Sequence, residues 1–238
     1  MGLRFRASLA ACALVLGGCG TVLQPSASEM DAVRAGNTAV MFTDGVQQIN
    51  YLEDHWLVVG FAQTATNSVY RGFWDSNAEL STVFAQEYAL KGLRSQSVYD
   101  VLGKSDVDRI LNAIPVSAIP GGTADKNGAR ENALPLDVQE ELLEKHQDYL
   151  IWLIWSGLTL HLEALGLPPR EIYHVNYKLI DVRANKVLGI GGCGKMESVS
   201  LNGKSGKDFL ESDNLAGLKS ELRRLFHENM KTCSPWTS

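Results

Sequence analysis

Residues 149–155 read Tyr149-Leu150-Ile151-Trp152-Leu153-Ile154-Trp155. No polar side chain interrupts the run, so a strand built from it needs cover on both faces and belongs in the middle of a sheet. It is far shorter than the ~20 residues of a bilayer-spanning helix, and it runs on into His161 and Glu163. From Leu158 the pattern alternates, with Leu158, Leu160 and Leu162 on one side and Thr159, His161 and Glu163 on the other. After Gly166-Leu167-Pro168-Pro169 a second alternating strand places Tyr173, Val175, Tyr177 and Leu179 inward and His174, Asn176 and Lys178 outward. Arg183-Ala184-Asn185-Lys186 then turns the chain into Val187-Leu188-Gly189-Ile190, completing a three-stranded meander.

Upstream, Asn37 opens a strand over Thr38–Phe42 that ends at the turn signal Asp44-Gly45. A second strand is expected over Trp56–Ala62, with an edge strand somewhere in Asn67–Trp74. Asp75-Ser76-Asn77 supply an N-cap for a helix carrying Leu80, Val83, Phe84, Glu87 and Leu90 up to Gly92. Ser97–Leu102 reads as a short strand, and Ser105 with Asp108 caps a helix bearing Val107, Ile110, Leu111 and Ile114. Pro115–Pro135 is a long stretch without periodicity. A helix follows over Asp137–Gln147 with Val138, Leu142 and Leu143 on its apolar side, and a final helix over Leu215–Met230 buries Leu218, Leu222, Leu225 and Phe226. The order predicts an α/β (α+β) fold: a single mixed sheet with helices packed on it, a long C-terminal β-meander and a final helix.

The amino terminus carries a different signal. Arg4 and Arg6 precede an apolar run, Leu9–Leu16, of the length of a secretory h-region. It ends in Leu16-Gly17-Gly18-Cys19, which resembles the bacterial lipobox. That resemblance implies a diacylglycerol on the Cys19 thiol, cleavage just before it and acylation of the new amino terminus. An ordinary secretory signal with an incidental cysteine is the plainer reading. A myristoyl signal fails, because Arg6 stands where Ser or Thr is required. In enteric bacteria an aspartate after the lipidated cysteine is similar to an inner-membrane retention signal; Gly20 here implies the outer membrane. Residues 1–18 are thus expected to be a lipoprotein signal peptide, 19–36 a lipid-anchored flexible tether and 37–238 a single periplasmic domain.

Charge and cysteines follow from that reading. The whole chain stands at −5. Losing Arg4 and Arg6 with the leader makes the mature chain more acidic still, which argues against nucleic acid and against docking on anionic lipid through a basic patch. Apolar residues at 45% and charged residues at 21% suit a globular body. Cys12 leaves with the leader and Cys19 is taken by lipid, so Cys193 and Cys233 remain. In an oxidising compartment they are expected to pair as a disulfide, closing a loop worth about 4 kcal/mol on the chain-entropy model; two buried thiols is the competing reading.

The succession of strands and helices, ending in Tyr173-His174-Val175-Asn176-Tyr177-Lys178-Leu179-Ile180-Asp181-Val182-Arg183-Ala184-Asn185-Lys186-Val187-Leu188, is similar to the small α/β domain of several envelope proteins. These include the curli-secretion lipoprotein, the outer-membrane activator of penicillin-binding proteins and the amino-terminal domain of TolB. The resemblance covers Thr38–Lys195 and implies a domain that binds and assembles rather than one that catalyses. The Trp56 strand and the Pro115–Pro135 stretch depart from it, and it carries over no functional residue.

Three motifs invite chemistry. Gly189-Ile190-Gly191-Gly192-Cys193-Gly194 fits G-x-G-x-x-G, but Lys195–Leu201 reads as strand where a dinucleotide site needs a helix N-terminus. The glycines are expected to serve a bulge or bend around Cys193. Gly203-Lys204-Ser205 lacks the glycine that a phosphate loop needs at position 198, which is Ser198. A hairpin closed by residues 166–170 would set His161 near His174 with Glu163 beside them, a loose divalent-metal candidate; solvated histidines on an exposed face are the plainer reading. No G-x-S-x-G, H-E-x-x-H or C-x-x-C is present, so no catalytic residue and no cofactor is expected. Two functions remain: a non-enzymatic envelope adaptor or assembly factor holding a protein partner, or a periplasmic hydrolase or small-ligand binder with its site at 115–135.

Overall fold

The computed structural model describes residues 23–44, 49–55, 62–68, 76–113, 133–163 and 170–198, together with 216–217, 220–221 and 223–224. Among them the order is α1 (Ala27–Ala35), β1 (Asn37–Asp44), β2 (Ile49–His55), β3 (Ala62–Ser68), α2 (Ser76–Leu90) and β4 (Arg94–Ser97). There follow α3 (Val98–Leu102), α4 (Lys104–Ala113), α5 (Leu136–Glu144), β5 (Tyr149–Glu163), β6 (Arg170–Asp181) and β7 (Lys186–Ser198). The strands form one open mixed sheet with helices packed on it, as the α/β reading expects.

β5 holds the sheet together. Its first half runs parallel to β1, from Thr38↔Tyr149 to Asp44↔Trp155. Its second half runs parallel to β2, beginning at Asn50↔Thr159. β1 and β2 therefore lie in tandem along the same edge of one long strand. On the other edge β6 pairs antiparallel from Tyr149↔Asp181 to His161↔Arg170, and β7 pairs antiparallel with β6. β4 extends the first half beyond β1 in parallel, and β3 extends the second half beyond β2 as a hairpin.

Both faces of the apolar run are covered. Leu150, Ile151, Trp152, Leu153 and Ile154 are all buried. Leu150, Trp152 and Ile154 join Met41, Val98 of α3, Val107 and Ile110 of α4, and Val138 and Leu142 of α5 in one apolar cluster. α2 packs on β1 and β4, with Phe84 stacked on Phe42 of β1 at 5.7 Å between ring centroids. Such a pair adds ~0.5–1.5 kcal/mol beyond area burial. The buried face of α2 is Leu80, Ser81, Phe84, Ala85 and Tyr88; Leu90, expected inward, is 82% exposed. The helical residues at 216–217, 220–221 and 223–224 fall within the expected final helix, and Arg223 pairs with Glu79 of α2.

Local chemistry moves several boundaries. The strand expected at Ser97–Leu102 is β4 followed by α3, because Ser97 Oγ accepts from Tyr99 N and caps the helix. Val98, Val101 and Leu102 stand at helical i, i+3, i+4 spacing. Ser105 does not cap α4: Gly103, at φ 85°, ends α3 through Gly103 N→Tyr99 O and opens α4 by accepting from Val107 N. The second strand lies at Ile49–His55, before the expected Trp56–Ala62, and the third ends at Ser68. Polar residues such as Asn50, Glu53 and Asp54 hide β2 from an apolar search; its pairing partner selects it. Residues 56–61, 69–74 and 114–132 lie outside the described residues.

The stretch expected to be a flexible tether through residue 36 holds α1, closed by a capping box between Ser26 and Glu29. Val33 is fully buried, and Glu29 pairs with Lys186 at the start of β7. The folded body starts by Leu23, not at Asn37.

A buried hydroxyl meets the β1 edge just beyond the short β4. The last β1–β4 pair is Val40↔Ser97. Two residues on, the Phe42 amide donates to Ser81 Oγ of α2 at 2.8 Å, and that hydroxyl donates to Asn77 O. Ser81→Ala would leave a buried N–H without its partner, which costs about 1–3 kcal/mol. The denaturation midpoint of S81A should fall accordingly, whereas T82A, which removes only a bond to the carbonyl of Ala78 in its own helix, should fall much less; equal shifts would deny Ser81 this role.

Candidate functional site: the β4 edge and its groove

Two helices on opposite faces of the sheet end beside the start of β1. α2 closes with a Schellman pattern, Gly92 N→Ala89 O and Leu93 N→Tyr88 O, with Gly92 at φ 89°. α5 closes in the same way, His146 N→Leu143 O and Gln147 N→Leu142 O, with His146 at φ 57°. Between them Asn37 is fixed by three bonds: its amide to Asp148 Oδ2 at 2.9 Å, its side chain to His146 O, and its carbonyl from Asp148 N.

These ends leave a shallow groove of about 420 Å³, lined by Asn37, Ala89, Leu93, Arg94, Ser95, Gln96, Lys145 and Gln147. Arg94 and Lys145 are exposed and bring positive charge to its rim. Gln147 is buried; its amide donates to Lys145 O, and its Oε1 has no partner among the described residues. Nearby Lys91 is held below the usual lysine range by burial, partly offset by Glu87. The lining holds no histidine, carboxylate or thiol. Its one hydroxyl, Ser95 Oγ, donates to Ala85 O at 2.7 Å. Such a surface can bind an anionic or extended ligand but offers no base to a nucleophile. β4 itself pairs only with β1 among the described residues.

The metal candidates are separated by register. His174 is the partner of Gly157 and His161 the partner of Arg170, so the two histidines stand four residues apart along the hairpin, about 13 Å. Glu163 pairs with Glu53 of β2. The ladder register therefore does not set the two histidines opposite each other; the side chains of His161, Glu163 and His174 lie outside the described residues. Among the described residues no three His, Cys, Asp or Glu side chains gather to hold a metal. Asn176 and Lys178, expected outward, are half-buried; Lys178 is the partner of Trp152 and Ile190, and burial lowers its pKa. Tyr88, buried in α2, has its pKa pushed up by burial and by Tyr177, and stays a neutral phenol. Cys193 is the register partner of Val175; Cys19 and Cys233 lie outside the described residues, as does most of 115–135.

The glycine motif is explained without a cofactor. β7 continues as strand through Ser198, so no helix follows the glycines directly. A Cβ on Gly191 would lie 2.6 Å from Cε1 and Cζ of Tyr177, its cross-strand partner, and one on Gly192 would lie 2.7 Å from Asn176 Oδ1. The glycines admit neighbouring side chains; the ladder irregularity falls instead between Leu179 and Ile180, before them.

In the sequence Asn185 stands out only as part of a turn. In the left-handed region at φ 47°, it accepts from Leu134 N at 2.8 Å and donates to Leu134 O at 2.9 Å, pairing like a strand backbone. Gln139 of α5 reaches the carbonyls of Val182 and Arg183. The β6–β7 turn thus clamps the entry to α5. An Asn four residues after Asp181, in a tight turn, was the available signal.

The chain matches no family model and no curated protein sequence. Among solved structures it is similar to the PelC dodecamer from Paraburkholderia phytofirmans, at 9% identity over 88% of this chain and 94% of that one, TM-score 0.37. It is also similar to lipoprotein GNA1162 from Neisseria meningitidis, at 10% identity over 81% and 99%, TM-score 0.38. The LpoB C-terminal domain from Salmonella enterica matches at 11% identity over 71% and 92%, TM-score 0.33. Likenesses of this degree leave function to be argued from the chain itself.

Replacing Gly191 by alanine should cost about 1–3 kcal/mol through overpacking against Tyr177. The double variant G191A/Y177A should recover part of the loss in a denaturation cycle; strict additivity would mean that the close approach is not the cause.

Proposed function

We propose that this chain is a lipid-anchored cell-envelope lipoprotein, on the periplasmic side of the outer membrane, acting as a non-enzymatic adaptor or assembly factor for a protein partner. The observation that carries the reading is Leu16-Gly17-Gly18-Cys19 at the end of an apolar h-region. Gly20 after the lipidated position supports the outer membrane. Contact rather than turnover is supported by the β4 edge and its groove, where cations and amides stand without a base or an activated nucleophile. The body recognises by surface: a short strand edge, an adjoining groove and the charge at its rim. The Cys193–Cys233 disulfide belongs to the same reading, since it follows from export.

C19A should abolish both fatty-acid incorporation and cleavage at residue 18. Metabolic labelling with a palmitate analogue checks it, and equal label in variant and parent would refute the lipoprotein assignment. Separately, peptides from the unreduced exported protein should contain a Cys193–Cys233 cross-link by mass spectrometry. Complete alkylation of both thiols in denaturant without reductant would exclude the bridge.

A further inference from the structure

We propose that the lipid holds the body flush against the bilayer, with the β7 edge and the start of α1 at the headgroups and the β4 edge turned away. The proposal rests on the lipoprotein reading and deepens it. The occupant of the β7 side is a phospholipid surface, and the leash that brings it there is the chain between Cys19 and the first fixed residue.

That residue is Leu23. Its amide donates to Ile190 O at 3.1 Å and its carbonyl accepts from Ile190 N at 3.0 Å, a two-bond antiparallel bridge on the outer edge of β7. Its side chain packs against the main apolar cluster. Gly189 eases the approach, since a Cβ there would lie 3.2 Å from Pro25 Cδ. The capping box at Ser26 follows at once, and Glu29 ties α1 to Lys186 of β7. Nothing between Leu23 and Asn37 is left over as slack.

Cys19 therefore precedes its docking point by four residues, about 14 Å at full extension. A leash running to Asn37 would reach about 60 Å. The polar interface of a bilayer leaflet is itself ~5–8 Å deep, so the Ile190 edge cannot leave the neighbourhood of the headgroups once Cys19 carries lipid. Strand order β7-β6-β5-β1-β4 then sets β4 four strand spacings away, about 19 Å across the sheet. With net charge −5 on the chain, attraction to anionic lipid does not orient the body; the short leash does.

The test uses the full lipidated protein in phosphatidylethanolamine/phosphatidylglycerol vesicles carrying a headgroup quencher. An environment-sensitive fluorescent amino acid replaces Ala184, exposed in the β6–β7 turn, or Gln96, exposed on β4. Quenching should be severalfold greater at Ala184 than at Gln96. A Gly/Ser spacer of about twelve residues inserted between Thr21 and Val22 should abolish the difference. Equal quenching at the two positions in the acylated parent overturns this orientation and leaves the lipoprotein reading standing. An unacylated Cys19, read by mass spectrometry of the same preparation, overturns both.

Discussion

A strand buried on both faces has no water to satisfy its backbone, so both of its edges must be paired along its buried length. β5 is that strand, and the rest of the structure answers this requirement. One edge is filled by β6 throughout. The other is filled in two pieces, β1 and then β2, which share an edge because neither alone matches the length of β5. The helices obey the companion requirement on the faces. α2 packs against β1 and β4, and α3, α4 and α5 close over the row that contains Trp152 and Ile154.

Three polar side chains inside this core match donors or acceptors that would otherwise be left over. Ser81 takes the Phe42 amide after β4 stops. Thr43 Oγ1 accepts from the Trp152 indole at 2.9 Å, letting a large side chain stay buried with its N–H satisfied. Asn185 gives Leu134 the two bonds of a strand neighbour where no strand runs. Each costs the fold a buried polar side chain and spares it an orphaned backbone or ring donor, and the second penalty is the larger.

The architecture was legible in the sequence wherever burial and periodicity agree. Tyr149–Trp155, the alternation of Tyr173–Leu179 and the helical spacings of α2, α4 and α5 all depend on local pattern. What escaped depends on partners distant in sequence. β2 is polar and becomes a strand by pairing with β5. α1 lies in a stretch whose small and polar composition reads as a tether, although Ser26 and Glu29 spell a capping box and Met30 and Val33 give it an apolar side. The offset of His161 from His174 was not legible either, because hairpin register is set along the whole ladder and not by the turn alone. The β4 groove had no sequence signature, being made of two helix ends that meet only after folding.

Sheet edges show where the fold is closed and where it is open. An exposed edge invites unwanted pairing, and proteins blunt it by shortness, charge or cover. β7 is long and rich in glycine, and its edge is bridged by Leu23. β4 is blunted in another manner: it has four residues, begins with Arg94 and lies beside a groove rimmed by Lys145. A bridge at Ile190 on the β7 edge and brevity with charge on the β4 edge are different solutions, and β3 ends the sheet beyond β2. At Ile190 the β7 edge is taken by the chain's own amino-terminal segment. Among the described residues the short β4 pairs only with β1, and its four residues supply too few backbone bonds to support open-ended association.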